Sequence, residues 1–156
     1  MSVQMTTELN AVNTMLSAIG EPPVTTLDGQ TNADAAIAQN ILLEINREVQ
    51  TMGWHYNTQF DVEFQPNTDK EIVLPNNVVR IDITQRGTRL FNKTKNTFEF
   101  DKNVTVTVIY LLPFTELPEA VRRYVTIKAA RVFQDRMVGS QKHHSFTRQD
   151  EVRALA

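Results

Sequence analysis

Two acidic side chains are the first candidates for chemistry in this sequence. Asp61 and Glu63 lie two residues apart in an alternating apolar–polar run, which in a strand would place both on one face. Paired carboxylates are the machinery of glycosidases, so this spacing could be imagined as a catalytic pair. The same spacing is found on the solvent face of an edge strand whose other face is apolar. We favour this second interpretation, because Phe60, Val62 and Phe64 supply the apolar alternation.

Histidines and aromatic rings form two further groups. His143 and His144 are adjacent in a polar stretch and could bind a metal, but no third ligand stands nearby at helical spacing, so a solvated loop is favoured. Trp54 and Tyr56 follow Gly53 at the predicted junction of a helix and a sheet. They could stack on a nucleic acid base, but an aromatic hinge between two lobes is the favoured interpretation.

The motifs of common enzymes and cofactor sites are missing from the sequence. It holds five glycines and contains no GxxxxGK[ST] loop, no GxGxxG turn and no GxSxG elbow. Cysteine is absent, which excludes disulfides and thiolate metal sites. We therefore expect no catalytic residue, cofactor or metal. No apolar run approaches 18 residues and the N-terminus has no signal-peptide pattern, so neither a membrane span nor secretion is expected.

The densest basic cluster consists of Arg86, Arg89, Lys93 and Lys95, on a predicted hairpin over residues 86–100 with a polar tip at residues 92–96. It could contact DNA phosphates, end in solvent, or meet the acidic face of a neighbouring protein. The pI near 5.9 argues against a dedicated DNA-binding domain. We favour a protein contact.

Charge is distributed unevenly along the chain. Residues 1–64 hold one basic and eight acidic residues, a net charge of −7, whereas residues 118–156 hold eight basic and four acidic residues, a net charge of +4. Independent drift of solvated helix faces would explain this, and so would a subunit with two complementary faces that associates head to tail.

Apolar periodicity predicts the elements. Spacings of three and four indicate helices over residues 7–19, 33–52 and 112–139, and a short helix starting near residue 147. Short runs of period two between them, separated by turn residues, indicate five or six antiparallel strands. The fold class is therefore α+β, with a small helical bundle from residues 1–53 and 114–156 and an inserted antiparallel β-lobe over residues 57–112. The residues expected in one helical core are Leu16, Ile41, Ile45, Tyr124, Val132 and Phe133, and those expected on the polar face of the third helix are Arg122, Arg123, Arg131 and Arg136.

Four segments resemble the tail tubular protein A family, the head-to-tail adaptors of short-tailed bacteriophages. They are LNAVNTMLSAIGEPPV, GWHYNTQ, RGTRLFNKTKNTFEFD and LLPFTELPEAVRRYVTIKAARVFQ, in the same order as in the family. The resemblance implies a structural virion protein of the tail, made in the host cytoplasm, rather than an enzyme. It implies a dodecameric ring below the portal that joins the capsid to the tail and surrounds the DNA channel.

The resemblance also implies the partners. These are further copies of the chain, the portal protein, and a nozzle or tail-tube protein, while DNA passes through without specific binding. Residues 139–156 correspond to a docking element, and the expected contact residues are Arg86, Arg89, Lys93, Lys95, Phe146, Arg148, Val152 and Leu155. The alternatives are a tail-associated polysaccharide hydrolase and a tail-tube or closure protein of different stoichiometry.

Overall fold

The computed structural model describes residues 4–29, 32–137 and 151–155. Helix α1 spans Glu8–Ala18 and begins with a reciprocal cap, in which the Thr7 hydroxyl accepts from the Asn10 N–H at 3.0 Å and the Asn10 side chain accepts from the Thr7 N–H. Helix α2 spans Ala33–Thr51. Asn32 caps its start, since its Oδ1 accepts from the N–H groups of Asp34 and Ala35.

The predicted third helix is shorter than its sequence pattern indicated. A single 3-10 turn at Phe114–Glu116 is followed by helix α3, which spans Glu119–Met137. Pro118 accounts for this break, because proline disfavours helical geometry in the residue before it, and its carbonyl then accepts the N–H groups of Val121 and Arg122. The predicted end at Gly139 lies outside the described residues.

Helices α1 and α3 pack together in the helical part of the chain. Five of the six predicted core residues are confirmed as buried, and Phe133 and Leu16 have no exposed surface. The prediction was wrong for Val132, which is only half-buried. Ala129 and Ala130 are buried on α3, and Gln134 donates to the carbonyl of Ala18 at the end of α1. Small residues allow close helix contact, which shifts the buried face of α3 away from Val132.

The polar face assigned to α3 was also wrong for Arg122, which is only 6% exposed. Its Nε donates to the carbonyl of Leu117 at 2.9 Å, its Nη1 donates to the carbonyl of Thr6 at 2.8 Å, and its Nη2 donates to the carbonyl of Thr115. The guanidinium thus supplies hydrogen-bond donors to three backbone carbonyls that lie outside the α-helices. Arg123, by contrast, is exposed as predicted.

Glu119 also binds Thr6, the residue whose carbonyl accepts from Arg122, and it makes the free energy of unfolding depend on pH. Its carboxylate accepts from the Thr6 hydroxyl at 2.6 Å and from the Thr6 N–H at 2.7 Å, and these bonds lower its pKa. A lowered folded-state pKa contributes stability at neutral pH that is lost as the pH falls below the ordinary glutamate pKa of about 4.3. The hydrogen bond from Arg136 likewise lowers the pKa of Glu44, so the stability that this pair contributes is also lost in acid.

We therefore expect the Glu119→Gln variant to lose less stability than the parent protein when the pH falls from about 7 to about 3.5. The measurement is the free energy of unfolding in urea at both pH values. Identical losses in the two proteins would show that the Thr6 contact does not contribute to the acid sensitivity.

The strands form an antiparallel sheet and a separate small ribbon. Within the described residues there are five strands: β1 at Thr58–Phe64, β2 at Val78–Ile81, β3 at Gln85–Arg86, β4 at Arg89–Leu90 and β5 at Val104–Tyr110. The sheet order is β1-β5-β2, and β3 pairs with β4. The predicted strand runs near residues 72–74 and 98–100 form only isolated bridges, of which Glu71 to Glu99 joins the two runs.

Strand β1 departs from the alternation that its sequence predicts. Its register with β5 shifts between Gln59 and Val62, and Asp61 has a φ of 55°, in the left-handed region. This bulge leaves Phe60 70% exposed, although the apolar alternation predicted that Phe60 would be buried together with Val62 and Phe64. Asp61 and Glu63 are both exposed, as the solvent-face interpretation expects.

The predicted hairpin over residues 86–100 is two successive turns. The first lies between β3 and β4, where Gly87 adopts a φ of 62° and Arg86 pairs with Arg89. The second covers residues 93–96 and is closed by backbone hydrogen bonds between Asn92 and Thr97. Arg86 and Arg89 therefore flank the first turn, whereas Lys93 and Lys95 lie in the second.

Backbone contacts divide the chain into two compact units. One comprises Met1–Glu48 with Pro113–Ala156, and the other comprises Val49–Leu112. The second unit has its own apolar cluster, formed by Ile72, Leu74, Val78, Leu90, Val106 and Val108. Helices with an antiparallel sheet confirm the predicted α+β class.

Candidate functional site

Two arginines of the predicted basic cluster are stacked on aromatic rings. The guanidinium carbon of Arg86 lies 3.7 Å from the ring centroid of Phe91, and that of Arg89 lies 3.7 Å from the centroid of Phe98. The two rings meet edge to face, with centroids 5.0 Å apart. This cation–aromatic stack holds both guanidinium groups in defined positions, and Phe91 is buried beneath it.

Acidic neighbours divide the cluster into paired and unpaired cations. Arg89 Nη1 lies 2.6 Å from a Glu71 carboxylate oxygen, and Lys95 Nζ lies 3.2 Å from Asp101. The Lys95 hydrogen bond, with the charges of Lys95 and Lys70, lowers the pKa of Asp101. Arg86 and Lys93 have no carboxylate partner among the described residues, and both are exposed. Of the four residues of the predicted basic cluster, these two therefore have no carboxylate partner within the described part of the subunit.

The predicted C-terminal contact residues are described in part. Phe146 and Arg148 lie outside the described residues. Residues 151–155 are helical, and Val152 and Leu155 are 62% and 51% exposed. Glu151 faces the opposite way, because its carboxylate pairs with Arg131 and lies 3.9 Å from Lys128 on α3. Glu151 attaches this segment to α3 and leaves two apolar side chains in solvent.

The residues considered for catalysis and base stacking make contacts within the chain. Glu63 accepts from the Asn103 side chain at 2.6 Å. The Trp54 and Tyr56 rings are nearly parallel with centroids 6.3 Å apart, and Trp54 Nε1 donates to the carbonyl of Val49. Burial raises the pKa of Tyr56 to about 12. Among the residues that the structure describes, no three His, Asp or Glu side chains are placed to hold a metal ion. His143 and His144 lie outside those residues.

An open depression lies at the loop that joins α1 and α2, where the sequence predicts no site. It encloses about 380 Å³ and is lined by Pro23, Val24, Thr25, Thr26, Asp28, Gly29 and Asn32. The Asp28 backbone N–H donates to the Thr26 hydroxyl at 3.1 Å, and the exposed Asp28 carboxylate has no ion pair in the described part of the chain. A polar loop of ordinary composition carried no signal that would have identified it.

Of the predicted contact residues that the structure describes, Arg89 is half-buried and five are exposed, namely Arg86, Lys93, Lys95, Val152 and Leu155. A model of the family described as tail tubular protein matches residues 9–156. The chain belongs to this family, which places it in the tail of a bacteriophage virion as a structural protein. No curated protein matches the chain significantly. In the described residues no helix has the length and apolar character needed to cross a membrane.

Proposed function

We propose that this tail protein is the head-to-tail adaptor subunit. In this proposal twelve copies form a ring below the portal, and the ring joins the capsid to the nozzle or tail tube and surrounds the DNA channel. In this proposal the chain also has two domains, a helical bundle of residues 1–53 and 114–156 and a β-lobe of residues 57–112. The match to the tail tubular protein family is the observation that carries the proposal.

Exposed charges of both signs are consistent with head-to-tail association. Arg86 lies in the unit Val49–Leu112 and Asp28 lies in the other unit, and both residues are exposed. Contacts between two different patches propagate from copy to copy and close into a ring when the rotation allows it. The net charge of −2 and the paired lysines would limit DNA retention, as a conduit requires. The family is structural, which is consistent with a protein that is not an enzyme.

Imaging by negative stain, together with native mass measurement, tests the proposal. We expect closed rings whose mass is an integral multiple of 17.8 kDa, with twelve copies dominant. Extended tubes would favour a tail-tube protein. A monomer that hydrolyses capsular polysaccharide would favour the hydrolase alternative.

The C-terminal segment is proposed to dock onto the portal or onto an adjacent subunit. Replacing Val152 and Leu155 together by serine should change the free energy of unfolding by less than about 0.5 kcal/mol, because both are exposed. Joining of capsids to tails should fall roughly tenfold or more, since two apolar contacts would be lost in every copy. The measurement is the fraction of joined particles in an assembly reaction.

The matched control replaces Ile37 and Leu43 by serine, two comparably exposed apolar side chains on α2. This control should join normally. Deleting residues 139–156 should leave a subunit that still unfolds cooperatively but does not join capsids to tails. Normal joining by the Val152 and Leu155 variant, or equal loss in both variants, would contradict a specific docking role.

A further inference from the structure

The cation–aromatic stack prepares Arg86 to bind an anion. Stacking on Phe91 restricts the guanidinium, and Phe91 is itself fixed by burial and by the edge of Phe98. The Arg86 side chain makes no hydrogen bond or ion pair with the described residues, so its planar fork of N–H donors remains available. Ordering a side chain before binding reduces the entropy lost on association. An arginine fork fits a carboxylate or a phosphate with two parallel hydrogen bonds.

The surroundings of Arg86 favour a protein carboxylate over a DNA backbone. Sequence-independent DNA binding requires several cations that neutralise successive phosphates. Here Glu71 offsets Arg89, and Lys95 and Lys70 share Asp101, which offsets one of their two charges. A single ordered fork suits a single carboxylate on a complementary protein face.

The acidic half of the chain offers one exposed carboxylate in a suitable setting. Glu44 pairs with Arg136, Glu48 pairs with Lys128, and Glu63 accepts from Asn103. The three other acidic residues that are set aside are half-buried, namely Glu8, Glu21 and Asp34. Asp28 is exposed, has no partner among the described residues, and lies at the open depression of about 380 Å³. A depression of this size admits a protruding side chain. Asp61 is also exposed and unpaired, but it lies on the bulge of strand β1 and does not line that depression.

We propose that Arg86 of one copy occupies the Asp28 depression of the next copy and binds its carboxylate through the guanidinium fork. This inference rests on the proposed ring and names the contact that would propagate it. The two surfaces are different, so each copy donates one and accepts the other. The partner of the basic cluster is then a second copy of this chain.

A charge exchange tests the contact. Arg86→Asp and Asp28→Arg should each weaken self-association roughly tenfold or more at low salt, because like charges would face each other. The combined variant should associate at least about threefold more tightly than either single variant, since the pair is restored in reverse, but less tightly than the parent protein, since the stack on Phe91 is lost. The matched control combines Lys93→Asp with Asp28→Arg and should not recover, because Lys93 is exposed and unpaired but not stacked. Sedimentation of the full chain measures association, and circular dichroism confirms that each variant is folded.

Disulfide trapping in assembled tails gives a second measurement. The chain has no cysteine. Thr88→Cys, in the turn beside Arg86, combined with Thr25→Cys, at the depression, should yield a ladder of oligomers under oxidation. Either single variant should yield no species beyond a dimer.

The outcomes separate this inference from the ring itself. Rings that form without recovery in the exchange variant and without a ladder would overturn the Arg86–Asp28 contact and leave the adaptor proposal intact. A ladder from tails that contain no closed ring would support the contact and overturn the ring. If Arg86→Asp associates normally but loses affinity for duplex DNA in a gel-shift assay, the fork binds phosphate and the inference is wrong.

Discussion

Replacing Phe133 by alanine is expected to lower the free energy of unfolding by about 3–5 kcal/mol. Phe133 is the largest side chain with no exposed surface, and it lies on α3 where that helix packs with α1. Truncation removes the apolar transfer energy of the ring and leaves a cavity that the surrounding helices fill only in part. Urea unfolding followed by far-ultraviolet circular dichroism measures the change.

Val132→Ala is the matched control for Phe133, because Val132 is the next residue on the same helix and is only half-buried. Val132→Ala should lower the free energy of unfolding by less than about 1.5 kcal/mol. If Phe133→Ala lowered it by less than about 1 kcal/mol, the phenyl ring of Phe133 would not pack within the subunit.

Replacing Arg122 by methionine is expected to cost about 2–4 kcal/mol, the second largest effect. Methionine approximates the aliphatic length of arginine but donates no hydrogen bond. The carbonyls of Thr6, Thr115 and Leu117 would each lose a donor. The urea titration used for Phe133 measures this loss.

Arg123→Met controls for the loss of charge, because Arg123 is adjacent and exposed. It should change stability by less than about 0.5 kcal/mol. If Arg122→Met were as stable as the parent protein, the cost of desolvating the guanidinium would equal its hydrogen-bond contribution. Arg122 would then be a contact that holds the Thr6 segment in place without stabilising the fold.

Arg122 and Glu119 carry opposite charges, and both form hydrogen bonds with Thr6. Arg122 donates to the Thr6 carbonyl, while Glu119 accepts the Thr6 N–H and hydroxyl. Thr6, just before α1, is thereby attached to the start of α3, more than one hundred positions later in the chain. We expect the N-terminal segment to exchange its amide hydrogens more slowly than a free terminus would.

Local patterns in the sequence determined the elements and the family. The spacing of apolar residues predicted α1 and α2 to within one residue at each end. The burial of five helical core residues was also predicted correctly, namely Leu16, Ile41, Ile45, Tyr124 and Phe133. Each of these depends on residues that are neighbours along the chain. Four ordered segments were sufficient to identify the tail tubular protein family, which the match over residues 9–156 confirms.

Long-range contacts decided what the local patterns could not. Arg122 is buried and donates to the carbonyl of Thr6, far away in sequence, as well as to the nearby carbonyls of Thr115 and Leu117, whereas a charged residue on a helix ordinarily predicts a solvated face. Phe60 is exposed because a bulge interrupts the alternation in β1. Similarly, Arg86 and Arg89 have the same charge and similar neighbours in sequence, but only Arg89 meets Glu71. Whether a charge is offset within the subunit or available to a partner depends on residues far away in sequence, so only the tertiary structure could separate the two.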